Sequence, residues 1–145
     1  MQKVLLTPFY LLAATFIGLG DTLFLSYYQH LGITPGCAIG GCEIVLNSAY
    51  SKFMGVPLSY IGLVFYVYML ALAILVAYDS YGKGTRFALL AYTGIGVLMS
   101  IGFETLQIFV IHAICMYCAI SAITTVVLFG LAIWHWRSTR SLAIV

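Results

Sequence analysis

The chain has 145 residues, of which 63% are hydrophobic and only 7% charged, and its formal net charge is +2. A soluble domain carries about 25% charged residues, so a surface facing water on all sides is excluded and lipid is the natural solvent. The six basic residues make no cationic field for nucleic acid, and the length fits a single domain, 1–145.

Crossing the hydrocarbon as a helix takes roughly 20 apolar residues, and four stretches qualify: about 4–28, 57–78, 87–112 and 115–136. The first has no small-residue cleavage motif and is long enough to span, so it reads as a retained helix rather than a signal peptide. The runs are continuous rather than alternating, which favours helices over a transmembrane barrel. The expected fold is therefore an all-α, four-transmembrane-helix bundle.

Between the first two spans lies a long loop, about 29–56. In it Val45, Leu46, Ala49, Tyr50 and Phe53 recur at helical spacing between Glu43, Asn47, Ser48, Ser51 and Lys52. That pattern predicts a short amphipathic helix lying on the end of the bundle. The next connection, 79–86, is polar and glycine-punctuated, as a helix–helix loop should be. The last is a tight turn at 112–114.

Lysine and arginine orient the chain. Lys3, Lys83, Arg86, Arg137 and Arg140 fall on one side of an up-down bundle, and only Lys52 falls on the other. Both termini are expected in the cytoplasm, with the long loop and the turn at 112–114 outside.

All four cysteines then lie outside. Cys37 and Cys42 bound the loop segment Cys-Ala-Ile-Gly-Gly-Cys, and Cys115-Met-Tyr-Cys118 opens the last span. The outer face of a bacterial membrane is oxidising and lets disulfides persist. A bridge from Cys115 to Cys118 would close a very short loop and brace little, so the pair is a poor staple and a good redox couple. A helix N-terminus stabilises a thiolate, and Cys115 should feel this most. Cys118, one turn deeper on the same face, lies nearer the membrane. One thiol can therefore meet an aqueous partner while the other faces a lipid-soluble one. Gly36, Gly40 and Gly41 flank and separate the loop pair and leave it mobile, as thiol–disulfide exchange requires. The competing readings are two structural disulfides, or four thiolates holding or carrying a metal. The redox reading needs neither metal nor flavin.

These residues resemble a known family. Cys37 and Cys42, Ser48 six residues later, Gly-Val-Pro-Leu-Ser at 55–59, and Cys115-Met-Tyr-Cys118 opening the last of four spans resemble the vitamin K epoxide reductase family, and most of all its bacterial, DsbB-like members. The resemblance covers about 18–122. It implies a four-helix bundle around a quinone (ubiquinone or menaquinone) in a prokaryotic inner membrane. It implies electrons entering from a periplasmic DsbA-like thioredoxin-fold protein. By position, Cys37 would meet the partner thiol, Cys42 would exchange with Cys115, and Cys118 would face the quinone. Ser48 matches a family serine close to the quinone. Animal members carry an asparagine where this chain has Leu58 and a tyrosine where it has Ala122, residues associated with vitamin K and its epoxide. Those departures argue for quinone reduction and against epoxide reduction. Bacterial members often carry a fused thioredoxin domain; nine residues follow Trp136 here, so a separate partner is expected.

Other residues carry weaker signals. Phe65, Tyr66 and Tyr117 are candidates to line an aromatic quinone slot, against a plain packing role. Asp21 and Glu104 sit within spans, where carboxyl groups usually face a polar interior, and Asp21 could take a proton as quinone becomes quinol. His112 could favour the Cys115 thiolate; Glu43 beside Cys42 would act weakly and in the opposite direction.

Overall fold

The computed structural model describes residues 2–38, 40–79 and 81–142, with side chains from 6 to 140 within those ranges. Ile39 in the cysteine loop and the side chain of Lys3, one of the orienting cations, lie outside this set.

Four helices carry the fold: α1 (Gln2–His30), α3 (Leu58–Tyr78), α4 (Lys83–Leu106) and α5 (Met116–Leu142). Each, α4 together with the helical turn that follows it, supplies a stretch long and apolar enough to cross a membrane: Leu6–His30, Leu58–Tyr78, Lys83–Ile111 and Met116–Arg140. The chain is thus a multi-pass membrane protein, as its apolar runs require. Its outside is apolar too, with Phe9, Val64, Leu98 and Phe109 each about two-thirds or more exposed. Hydroxyls inside the spans bond back to their own helix: Thr15 to the Leu11 carbonyl and Thr93 to that of Leu89, both at 2.7 Å. Neither of these donors is then stranded where water is absent.

Helix α1 packs along α3 and α5, and α4 along α5, whereas α3 and α4 meet more sparingly. Gly18 sets the α1–α3 spacing, because a Cβ there would overlap the Tyr66 ring. One core, built on Leu11, Tyr66, Met69, Leu72, Leu89 and Leu128, fills the bundle. A second, smaller core holds Cys42, Val45 and Cys115 at one end, with Cys37 and Cys118 against it. At the α4 start and α5 finish, Arg86 donates to Thr139 at 2.7 Å and lies 5.7 Å over the Trp136 ring. Lys83, Arg137 and Arg140 therefore share that end.

Two local expectations need correction. The amphipathic helix of the long loop does not run to Phe53: α2 spans only Cys42–Asn47. Ser48 is extended, its N–H closes on the Val45 carbonyl at 3.2 Å and its hydroxyl donates to the same oxygen at 2.7 Å. A serine that offers the backbone such a bond competes with the helix. A 3₁₀ turn (Ala49–Ser51) follows, then a two-strand hairpin, β1 (Lys52–Phe53) and β2 (Val56–Pro57), paired Lys52 to Pro57 and Phe53 to Val56. Met54 and Gly55 turn it with φ of 52° and 86°, the left-handed pair that a tight hairpin needs. Second, helix α4 begins at Lys83, so the polar stretch 79–86 is half loop and half helix. Its basic residues, Lys83 and Arg86, occupy the first turn of α4, while Asp79 caps the end of α3.

Candidate functional site

The site forms where α2, the end of α4 and the start of α5 meet. After Leu106 the backbone widens into a π-helical turn, Gln107–Ile111, and His112 ends it in the left-handed conformation, φ 55°. The Gln107 carbonyl accepts the amides of His112 and Ala113, the latter at 3.2 Å. The Gln107 side chain is buried, and its Oε1 accepts the Cys115 N–H at 2.8 Å. One residue thus shapes the whole turn that delivers Cys115. Such π-turns often mark functional sites.

Cys115 is the N-cap of α5: its carbonyl takes the Ala119 N–H at 3.0 Å. Its sulfur lies one residue before the span and is held below the usual thiol range. The first cause is the hydrogen bond donated by the Cys118 thiol; the amides of Cys118 and Tyr117 help, while burial and the Asp21 charge oppose. A cap side chain that accepts the N2 and N3 amides is the ordinary way to satisfy a helix start. Here a sulfur takes that place. The expected thiolate-stabilising helix terminus is thus present. His112 is exposed and is not among the groups that act on Cys115.

The four cysteines come together in one cluster, in two redox states. Cys37 and Cys42 are joined as a disulfide, Cα–Cα 5.7 Å, while Cys115 and Cys118 are free thiols. Cys42 and Cys115 are both fully buried in the same small core. Tyr117, between the thiols, donates its hydroxyl to the Gly36 carbonyl at 2.9 Å. It thereby ties the loop that bears Cys37 to the helix that bears Cys118. Glu43 is exposed beside Cys42.

Below the cluster opens a cleft of about 200 Å³, lined from all four long helices and from the α2 segment. Ser48, Phe65, Tyr66, Tyr117 and Cys118 all line it. Phe65 stacks on Tyr92 at 4.8 Å and 8°. The Tyr66 hydroxyl donates to the Ser121 carbonyl at 2.9 Å and lies 3.1 Å from Thr125 Oγ1. Its polar end is thus satisfied within the wall and its ring is what the cleft meets. Ser48 reaches the cleft, but its proton is committed to Val45, so it offers a bound molecule its lone pairs first. Leu58 and Ala122 also line the cleft.

Asp21 and Glu104 line it too. The Asp21 Oδ2 is buried and has no hydrogen-bond partner among the described residues. Both carboxyl groups act electrostatically on Cys118, and Asp21 also acts on Cys115 and Tyr66. Sequence reasoning missed Gln107, the Ser121–Thr125 shelf under Tyr66, and the Ser59 hydroxyl that donates to Gln29 Oε1 at 2.5 Å on the cleft wall. The signal available for Gln107 was an uncharged amide inside an apolar span. No three His, Cys, Asp or Glu side chains form a metal-binding group among the described residues.

The family is now defined by more than spacing. Residues 9–133 match the vitamin K epoxide reductase family, and the chain belongs to it. It is also 35% identical over 121 residues to the thiol-disulfide oxidoreductase LTO1 of Arabidopsis thaliana, a match covering 78% of this chain and 32% of that protein. The chain thus spans about a third of the length of that relative.

Proposed function

We propose that the chain is a membrane thiol oxidoreductase that carries electrons from a periplasmic DsbA-like thioredoxin-fold protein to a quinone, and so supports disulfide formation. The observation that carries this reading is the arrangement of sulfurs: a closed Cys37–Cys42 disulfide packed with a reduced Cys115/Cys118 pair whose inner thiol faces an apolar cleft. Two structural disulfides would leave no reason for the second pair to stand open beside a cleft. The site end faces the periplasm and both termini face the cytoplasm of a prokaryotic inner membrane; the basic end formed by Lys83, Arg86, Arg137 and Arg140 supports that orientation.

The relay runs by exchange of sulfur partners. A thiolate of the partner attacks Cys37, the mixed disulfide resolves into the partner's disulfide, and Cys37 and Cys42 are left as thiols. The Cys42 thiolate then attacks Cys115 of a Cys115–Cys118 disulfide and releases Cys118. Cys37 attacks Cys42, closes the loop disulfide again and frees Cys115. The result is the redox state described above. Closing Cys115–Cys118 gives up two electrons and two protons.

The cleft fits a quinone by its chemistry: its walls are mostly apolar, Cys118 lies on them, and the orphaned Asp21 Oδ2 is a proton site beside the sulfur. Phe65, Tyr66 and Tyr117 would hold the ring and Ser48 would border it. A bound quinone supplies the acceptor for two electrons and two protons. Asp21 would pass a proton at Oδ2, and the mostly apolar walls limit the water beside the thiols. Leu58 and Ala122 leave this wall without the amide and phenol that the animal members place there, which favours a quinone over its epoxide.

Serine replacement tests the reading. Cys115→Ser or Cys118→Ser should abolish quinone-coupled oxidation of a reduced DsbA-like protein. Retained oxidation in either variant would refute it.

A further inference from the structure

We propose that Gly41 is a positioning residue for the sulfur relay: with no side chain, it lets the backbone entering α2 lie directly on the Ile114 peptide, and that contact seats Cys42 beside Cys115. The inference rests on the relay reading and identifies the part of the fold that couples its two halves.

The observations are steric. A Cβ on Gly41 would run into the Ile114 carbonyl oxygen and stand 2.9 Å from its nitrogen and 3.0 Å from its carbonyl carbon. These are backbone atoms, so no side-chain rotation relieves the overlap. The conformation of Gly41 does not itself call for glycine: its φ is −95° and its ψ −12°, in the right-handed helical region open to any residue. Gly40 differs, with φ +77° and open space where its Cβ would be. Glycine thus serves two purposes in adjacent positions: left-handed backbone at Gly40 and close approach at Gly41.

The two peptides in contact each lead directly into a relay cysteine. Gly41 precedes Cys42, and Ile114 precedes Cys115. Neither side yields easily. The Ile114 side is held by Gln107, which takes the Cys115 N–H with its side chain and the Ala113 N–H with its carbonyl. On the other side, Gly41 is the N-cap of α2 and its carbonyl accepts the Val45 N–H at 3.1 Å. A methyl group at position 41 must therefore move α2 as a unit, and Cys42 with it. Exchange between sulfurs demands close approach in line, so a displacement of about 1 Å lowers the rate by a large factor.

The test separates position from fold. In a Cys37→Ser/Cys118→Ser background only Cys42 and Cys115 remain, and diamide oxidises the two thiols to one disulfide as it is itself reduced to the hydrazine. With Gly41 in place the cross-link should form readily. Gly41→Ala should slow it about tenfold or more, whereas Gly102→Ala, on α4 with open space around its Cβ, should not. In the four-cysteine protein, Gly41→Ala should lower quinone reduction driven by a reduced DsbA-like partner by a similar factor. It should spare quinone reduction driven by dithiothreitol, which reduces Cys115–Cys118 directly; retention of that rate also shows that the bundle is folded. An unchanged cross-linking rate in Gly41→Ala would overturn the proposal, and so would equal loss of both quinone activities, which would make the contact part of the fold alone. Failure of Cys42 and Cys115 to cross-link even with Gly41 present would instead overturn the relay order itself.

Discussion

The Cys115 N–H donates to the buried Gln107 side-chain oxygen across 2.8 Å. The amide in question is an orphan donor at a helix start, and Gln107 satisfies it from the end of the preceding span. Replacing Gln107 by leucine leaves that N–H buried without a partner, which costs about 1–3 kcal/mol. Gln107→Leu should lower the thermal midpoint in detergent and slow quinone reduction from either electron donor. Gln107→Glu keeps an acceptor oxygen and should retain more of both. Equal loss in the two variants would show that the hydrogen bond is not what matters at this position.

Cys115 should react as a thiolate at lower pH than an ordinary thiol. Its sulfur accepts the Cys118 S–H and two helix amides, which favours the charged form. A group whose value is depressed gains charge earlier as pH rises. Alkylation of Cys115 should therefore remain fast at pH values where free thiols slow down, and should fall off only as pH drops through its lowered value. Cys118→Ser exchanges the thiol donor for a hydroxyl and should shift the alkylation profile of Cys115 while leaving the amide contribution. A Cys115 profile matching that of a free thiol would contradict the N-cap geometry.

Asp21 is the strongest remaining candidate for a proton role, because Oδ2 lies buried on the cleft wall with no hydrogen-bond partner among the described residues. Asp21→Asn should slow dithiothreitol-driven quinone reduction by about tenfold or more. It should leave the diamide cross-link between Cys42 and Cys115 at least as fast, since the Asp21 charge only opposes the Cys115 thiolate. Slowing of both would place Asp21 in the fold of the cysteine cluster instead.

Much of this was legible from the amino acids alone. The four spans follow from unbroken apolar runs, and the helix start at the Cys115-Met-Tyr-Cys118 segment follows from where the last run begins. Membrane helices satisfy their own backbone, so composition determines them with little help from neighbours. What stayed hidden depends on contacts distant in sequence or on a local contest. Val45 through Phe53 have helical periodicity, but Ser48 offers its hydroxyl to the Val45 carbonyl and the helix stops there. Gln107 gives no hint that it widens its turn and reaches Cys115, because that depends on how α4 ends against α5. Gly41 and Gly40 look alike as text. Only the approach of the Ile114 peptide separates a glycine needed for space from one needed for its dihedral angles.

The most direct test of the central claim uses the purified protein, a reduced DsbA-like partner and a soluble quinone, following quinone absorbance. The account predicts that quinone is consumed one-for-one with partner disulfide formed, and that consumption stops when Cys118 is serine. Oxidation of the partner with no change in quinone absorbance, or quinone loss that persists in Cys118→Ser, would contradict it.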